Sequence, residues 1–439
     1  MKKFTSSKLF RFIWSAGLSA ILYLTCPPCF SKSTLLVLLA VELILINGAG
    51  FIARLPWLTH MARILVGGLF IFSGFIKAND PLGFSYKLQE YFEVFQGDTG
   101  LSVFEGFAHM ALPLAILICA SEIILGFLLL LGYKRDLTLW LLLAQIIFFT
   151  FLTFYSACYN KVTHCGCFGD FIKLKPWDSF WKDIALMVLI TLLFAGRENI
   201  RELFGPMALS ALFLVGLVFA IGFPIYAYRN LPPLDFRPYA LGMNIRENMK
   251  TPDTYKPAVI ETGFIYENKQ TGKKEHFNTQ NYPWQDTLHW KWFATDNVVL
   301  KDAVDAPKIT DFTVSDLNGV NVTDSVLSDK NYSFWLVVNE LPQTEDNATL
   351  MAKISDFYKL ASLDKHKFIA LTASGMSEID AFKHKHNALY DFVTVDNTVL
   401  KTMIRSNPGL MLIKDGTVIM NWHYHNFPTY SDAKQRFMK

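Results

Sequence analysis

Two cysteines stand one residue apart in His164-Cys165-Gly166-Cys167-Phe168-Gly169-Asp170, just after a long apolar run. A second pair, Cys26-Pro27-Pro28-Cys29, also follows an apolar run. A thiolate attacks a disulfide, so a working dithiol needs accessible sulfurs and a lowered pKa. His164 can supply a positive charge or accept a proton, and Gly166 and Gly169 let the backbone fold tightly around the pair. A disulfide across Cys-Gly-Cys closes a very small, strained ring, which suits exchange better than stapling. Cys165 and Cys167 are therefore the candidate catalytic pair, with His164 tuning them. Cys26 and Cys29 have the spacing of dithiol oxidoreductases but follow a helix end, so the activation that a helix N-terminus gives a thiol is missing. They are a candidate relay, with a structural disulfide, or none, as the competing reading. The four cysteines and His164 have the ligand types for zinc, yet their spacing is not that of a standard zinc motif. No metal is assigned. Cys119 and Cys158 lie within apolar runs and read as buried apolar residues.

These residues must be held by membrane helices. Hydrophobic residues make up 52% of the chain and charged ones 18%, where about a quarter charged is usual for a soluble protein. A bilayer-spanning helix needs about 20 mostly apolar residues. The runs 9–25, 34–53, 64–76, 111–131, 137–158, 181–195 and 206–228 qualify, the third and sixth being short. After 228, charges, Asn and Thr return and no long apolar run follows. The expected fold class is an all-α membrane bundle of about seven helices, followed by a soluble α/β part. The expected boundaries are a helix pair at 1–57, a four-helix membrane domain at 58–200, a last span at 201–230, a linker with a hairpin at 231–302, and a final domain at 303–439. A net charge of +3 with no long basic run gives no reason to expect nucleic acid as a partner.

Lys and Arg in the short loops give the orientation. Lys2, Lys3, Lys8, Arg11, Arg54, Arg63, Lys134, Arg135, Arg197 and Arg201 fall on one side. Lys32, Lys77, Lys87, Lys161, Lys173, Lys175 and Lys182 fall on the other, spread over longer segments. A multi-pass protein of the cell inner membrane is expected, with a cytoplasmic N-terminus and a periplasmic C-terminal domain. Both cysteine pairs then face the compartment where disulfides persist. The first run reads as an uncleaved anchor rather than a signal peptide, since Tyr23-Leu24-Thr25 offers no small-residue cleavage site.

Glu42, Glu122 and Gln145 lie deep in spans, where ionisable groups usually line a site or a pathway. Glu122 can hold a proton, bind a quinone headgroup or lock two helices together. Lys77 and Asp80 read as interfacial anchors. The stretch 84–95 alternates aromatics with charges and reads as an amphipathic helix on the outer membrane surface or capping the bundle.

Four stretches resemble one family: Ile71-Phe-Ser-Gly-Phe-Ile-Lys-Ala-Asn-Asp-Pro-Leu-Gly83, Tyr86-Lys-Leu-Gln-Glu-Tyr-Phe92, Ala111-Leu-Pro-Leu-Ala115 and Cys165-Gly-Cys-Phe-Gly-Asp170. They are similar to the DoxX/MauE-like membrane proteins, and the added soluble domain resembles the Bacteroidetes branch. The resemblance covers roughly 61–195 and implies a four-helix membrane bundle. It also implies a redox role, since MauE proteins are thought to support disulfide formation in a methylamine dehydrogenase subunit. The Cys26–Cys29 region lies outside that core.

In the soluble part, 259–266 and 275–278 flank a turn at Gln270-Thr-Gly-Lys273 and read as a hairpin. From 306 onward a βαβ rhythm is expected: strands 309–314, 333–339 and 368–372, helices 350–360, 377–386 and 398–404, and strands 410–414 and 417–420 paired across Asp415-Gly416. The order resembles a thioredoxin-like fold, with Pro408 at its cis-proline position. No cysteine follows Cys167, so that domain has no dithiol of its own. His384/His386 and His423/His425 read as solvated surface rather than metal ligands. The function expected is presentation of an extracytoplasmic dithiol for thiol–disulfide exchange with a protein client or a dithiol partner, in contact with membrane lipid and with quinone as a candidate acceptor. The alternative is a non-catalytic scaffold whose thioredoxin-like domain binds a partner.

Overall fold

The computed structural model describes residues 55–159, 161–162, 168–172, 174–301, 304–344 and 346–438. The first two expected spans, with Cys26, Cys29 and Glu42, lie outside the described residues, as do His164, Cys165 and Cys167. The chain divides into two compact units. The first is 1–237 with Ile404–Ser406 and Trp422–Phe427; the second holds the rest.

The first unit is helical. Its described helices are α1 (Pro56–Asn79), α2 (Pro81–Thr99), α3 (Val103–His109), α4 (Ala111–Leu131), α5 (Arg135–Tyr159), α6 (Pro176–Ala195) and α7 (Pro206–Asn230). Proline opens α1, α2, α6 and α7, where its missing N–H costs nothing. Among the described residues four helices, α1, α4, α5 and α7, are long and apolar enough to cross a membrane. Helix α6 forms where the sixth run was expected but carries Asp178, Lys182 and Asp183 in its first half. Helix α1 runs well beyond the short third run. Helices α1 and α4 meet along glycines. A Cβ on Gly126 would stand 2.6 Å from the Gly67 carbonyl oxygen, and one on Gly74 would stand 2.8 Å from Glu122 Cβ. Small residues allow this close approach, and packing of that kind drives helix association in lipid. Helix α7 leaves Leu214, Val215, Val218 and Phe219 exposed, as a lipid-facing helix must.

The amphipathic stretch is α2, and its apolar stripe Phe84, Leu88, Tyr91 and Phe95 packs into the bundle core. Arg63 is buried near one end of the bundle, where Nε donates to the Leu129 carbonyl at 2.8 Å and Nη2 to that of Leu130 at 2.6 Å.

The second unit contains two sheets. Strands β1 (Val259–Asn268), β2 (Lys274–Asn278) and β3 (Trp290–Lys301) form an antiparallel sheet in the order β2-β1-β3. The hairpin matches expectation, while β3 was not anticipated. Strands β4 (Tyr332–Val338), β5 (Lys367–Thr372), β6 (Asp391–Thr394), β7 (Gly409–Lys414) and β8 (Thr417–His423) form a mixed sheet in the order β6-β5-β4-β7-β8. Pairs β4/β5 and β5/β6 are parallel and β4/β7 is antiparallel. The β7–β8 turn places Asp415 at φ 49° and Gly416 at φ 70°, the left-handed pair that a two-residue hairpin demands. The expected strand 309–314 is not a strand. Ile309, Phe312 and Val314 are buried, but among the described residues the ladder contacts next to them are isolated bridges from Ser315 to Asn321 and to Thr394. The Asn407–Pro408 peptide bond is cis.

Candidate functional site

Five polar side chains of the bundle line one cavity of about 30 Å³. Its walls include Ser73 and Lys77 of α1, Glu122 of α4, Phe149 of α5, Lys182 and Asp183 of α6, and Phe168. Lys77 donates to Glu122 Oε1, and both side chains are 2% exposed. The anchor reading of Lys77 is thus overturned: its ammonium also lies 4.3 Å from the Phe149 ring centre and 5.1 Å from that of Phe84. A buried charge is tolerable only when paired, and α1 and α4 supply the pair. Glu122 Oε2 makes no hydrogen bond of ordinary geometry, although the Ser73 hydroxyl stands near the carboxylate.

A second pair closes the other wall. Lys182 bonds to Asp183, whose Oδ2 accepts from Thr153 Oγ1 at 3.0 Å. Lys182 keeps 23% of its side chain exposed, and its ammonium stands 5.6 Å from the ring of Phe168. Phe168 follows Cys167 in the chain. It starts a turn in which the Phe171 N–H donates to the Phe168 carbonyl and Gly169 adopts φ 50°, a conformation that glycine reaches without strain. The cavity has room for about two waters at the 10–15 Å³ each needs. A quinone ring does not fit it, and no step here runs through a quinone.

Asp170, at the end of the same element, is held by Arg405, which belongs to the first unit. Arg405 Nη2 donates to Asp170 Oδ2 at 3.4 Å, and Nε donates to both Asp80 oxygens at 2.9 Å. Asp80 also caps α2 by accepting from the Gly83 N–H at 2.9 Å, so the anchor reading of Asp80 gives way to a capping and pairing role. The guanidinium lies 5.7 Å from the ring of Tyr86, whose hydroxyl pKa burial pushes up.

Of the other expected residues, Gln145 is a helix tie: its Nε2 donates to Ser121 Oγ at 2.9 Å. Cys119 is a free, buried thiol, as its apolar setting implied. Cys158 is not simply a buried apolar residue. It is disulfide-bonded, and the other half lies outside the described residues. His423 is buried rather than solvated. Among the described residues no cluster of His, Cys, Asp and Glu could hold a metal ion.

Residues 55–196 match the family model of methylamine utilisation protein MauE. The helices around the cavity lie in this MauE-like region, as does the Cys165-Gly-Cys-Phe-Gly-Asp element. Residues 260–302 match a family described only as a domain of unknown function. No curated protein and no solved structure matches the chain.

Sequence reasoning missed Asp183, Lys182 and Arg405. The first two left a trace, a Lys-Asp pair at the mouth of an apolar run. Arg405 left none, because its partners lie more than two hundred residues away in the chain.

Proposed function

We propose that this is an integral membrane protein whose outward-facing cysteines exchange disulfides with a polypeptide client. The observation that carries this reading is the disulfide at Cys158. The chain has six cysteines, and Cys119 is free. The partner of Cys158 must come from Cys26, Cys29, Cys165 and Cys167. Three remain, and three cannot all pair within one chain. At least one further thiol is therefore left over, and a thiol that can reach a disulfide is the requirement for exchange. In this reading Cys158 pairs with Cys26 or Cys29, Cys165 and Cys167 are the reacting pair tuned by His164, and the Cys158 disulfide and the remaining cysteine of Cys26/Cys29 are relay candidates.

The reaction balances without an external oxidant. A thiolate of the protein attacks the client disulfide, whose S–S bond breaks as a mixed disulfide forms and a client thiolate leaves. The second protein thiolate then attacks the mixed disulfide, closing a protein disulfide and releasing the second client thiolate. The protein is oxidised, the client is reduced, and both thiol protons end on the client. The reverse sequence donates a disulfide to the client.

We read the C-terminal α/β part as thioredoxin-like; the mixed sheet in the order β6-β5-β4-β7-β8 and the cis Asn407–Pro408 bond support that reading, but no cysteine follows Cys167. It serves as a client-binding module rather than a second dithiol. Loop charges favour the periplasmic side for it and for Cys165. The test is trapping: Cys167→Ser protein in detergent should form mixed disulfides that reductant reverses, and Cys165→Ser/Cys167→Ser protein should not. Equal yields from both variants would leave the non-catalytic scaffold as the better reading.

A further inference from the structure

The Lys77–Glu122 pair could be no more than a lock between α1 and α4. Two observations point further. The glycines at 67, 74 and 126 already hold that seam at backbone contact. A saturated lock would also leave no acceptor open, yet Glu122 Oε2 is buried without a hydrogen bond of ordinary geometry. The open acceptor belongs to a residue that lines a cavity large enough for water, whose walls are mostly apolar but also carry Ser73, Lys77, Lys182 and Asp183.

We propose that Glu122 is a proton-holding group for the exchange reaction, reached from the outer face through water in this cavity and the Lys182–Asp183 pair. The proposal rests on the exchange reading above. Between loss of a proton from the attacking thiol and its arrival on the leaving client thiolate, the proton needs a place to stay. Glu122 as carboxylate accepts it at an oxygen and returns it, so no net proton is gained. Phe168, bonded to Cys167, forms one wall of the cavity. The titratable groups lining it are Lys77 from α1 and Lys182 and Asp183 from α6, two positive and two negative when Glu122 is included. Among the described residues, α2 and α7 place no titratable side chain on it, and α5 contributes Ile146 and Phe149.

The experiment uses full-length protein in detergent with oxidised glutathione as the probe. Three proteins are compared: wild type, Glu122→Gln, and Lys77→Met/Glu122→Leu. Replacing both members of a buried pair by apolar groups usually leaves the fold intact, whereas removing one does not. The double variant thus separates a lock from a proton site. We expect it to melt near the wild type while exchange slows on the order of 10²-fold and the pH–rate profile loses one limb. An unchanged rate and profile in the folded double variant would overturn the proposal. If the wild type does not exchange with glutathione at all, the functional reading fails, and infrared difference spectra on acidification decide the proton site by themselves. A protonated-carboxyl band present in wild type and absent in Glu122→Gln supports it; no such band in wild type overturns it.

Discussion

At the residue scale, the first unit places charge where the sequence reads as apolar and balances it locally. Lys77 answers Glu122, Lys182 answers Asp183, and Arg405 answers Asp80 and Asp170. Removing one member of such a buried pair is costlier than removing both, because the survivor is left charged and unpaired. Arg405→Met should therefore lower stability by about 3–5 kcal/mol, and Asp80→Asn added to it should restore part of the loss. Denaturant titration of the full chain measures both, and a double variant no better than the single would contradict the pairing. His423 gives a pH prediction. Burial, and then the neighbouring His425, push its pKa down to about 4, while an unfolded histidine titrates near 6.5. The folded value is depressed, so the unfolded chain binds the extra proton. Stability is full above about pH 6.5 and falls as pH drops from there towards about 4, by about 3 kcal/mol at most. The melting temperature should decline across that window, and His423→Phe should flatten the decline. A wild-type curve that is level from neutrality to about pH 4 would refute the assignment.

At the element scale, α1 and α4 form a seam with no room for side chains at its glycines. Gly126→Val would drive its Cβ into the Gly67 carbonyl, and such overpacking costs about 1–3 kcal/mol. Gly68→Ala is the control, since nothing lies within 4 Å of the added carbon. Thermal unfolding should separate the two variants, and equal melting temperatures would deny the seam. The hairpin at Asp415-Gly416 was legible because turn chemistry is local. The stretch 309–314 was misread because buried apolar residues in extended chain look like a strand whether or not a neighbour supplies the ladder.

At the scale of the whole molecule, the loop charges make a topological prediction. The structure removes one charge from each side, since Lys77 and Arg63 are both buried in the bundle, and the direction of the bias is unchanged. Gln270→Cys, in an exposed turn of the second unit, should react with a membrane-impermeant maleimide in intact cells. Asp136→Cys, in the first turn of α5 beside the loop charges Lys134 and Arg135, should react only after lysis. The reverse pattern would invert the orientation and place the cysteines in a reducing compartment. The MauE-like region spans 55–196.

The sequence by itself determined the membrane character, the hydrophobic runs, most of the α/β succession and the spacing of the cysteines. Each of these is written in composition or in spacing of a few residues. Only tertiary structure decided which charges meet. Glu122 was visible as costly, but its partner Lys77 sits forty-five positions earlier, at what reads as the end of a span. Asp170 was visible as part of a motif, but its contact with Arg405 joins positions 235 residues apart. Coulomb pairing depends on distance in space, and a chain that folds back on itself leaves that distance unwritten in its local pattern.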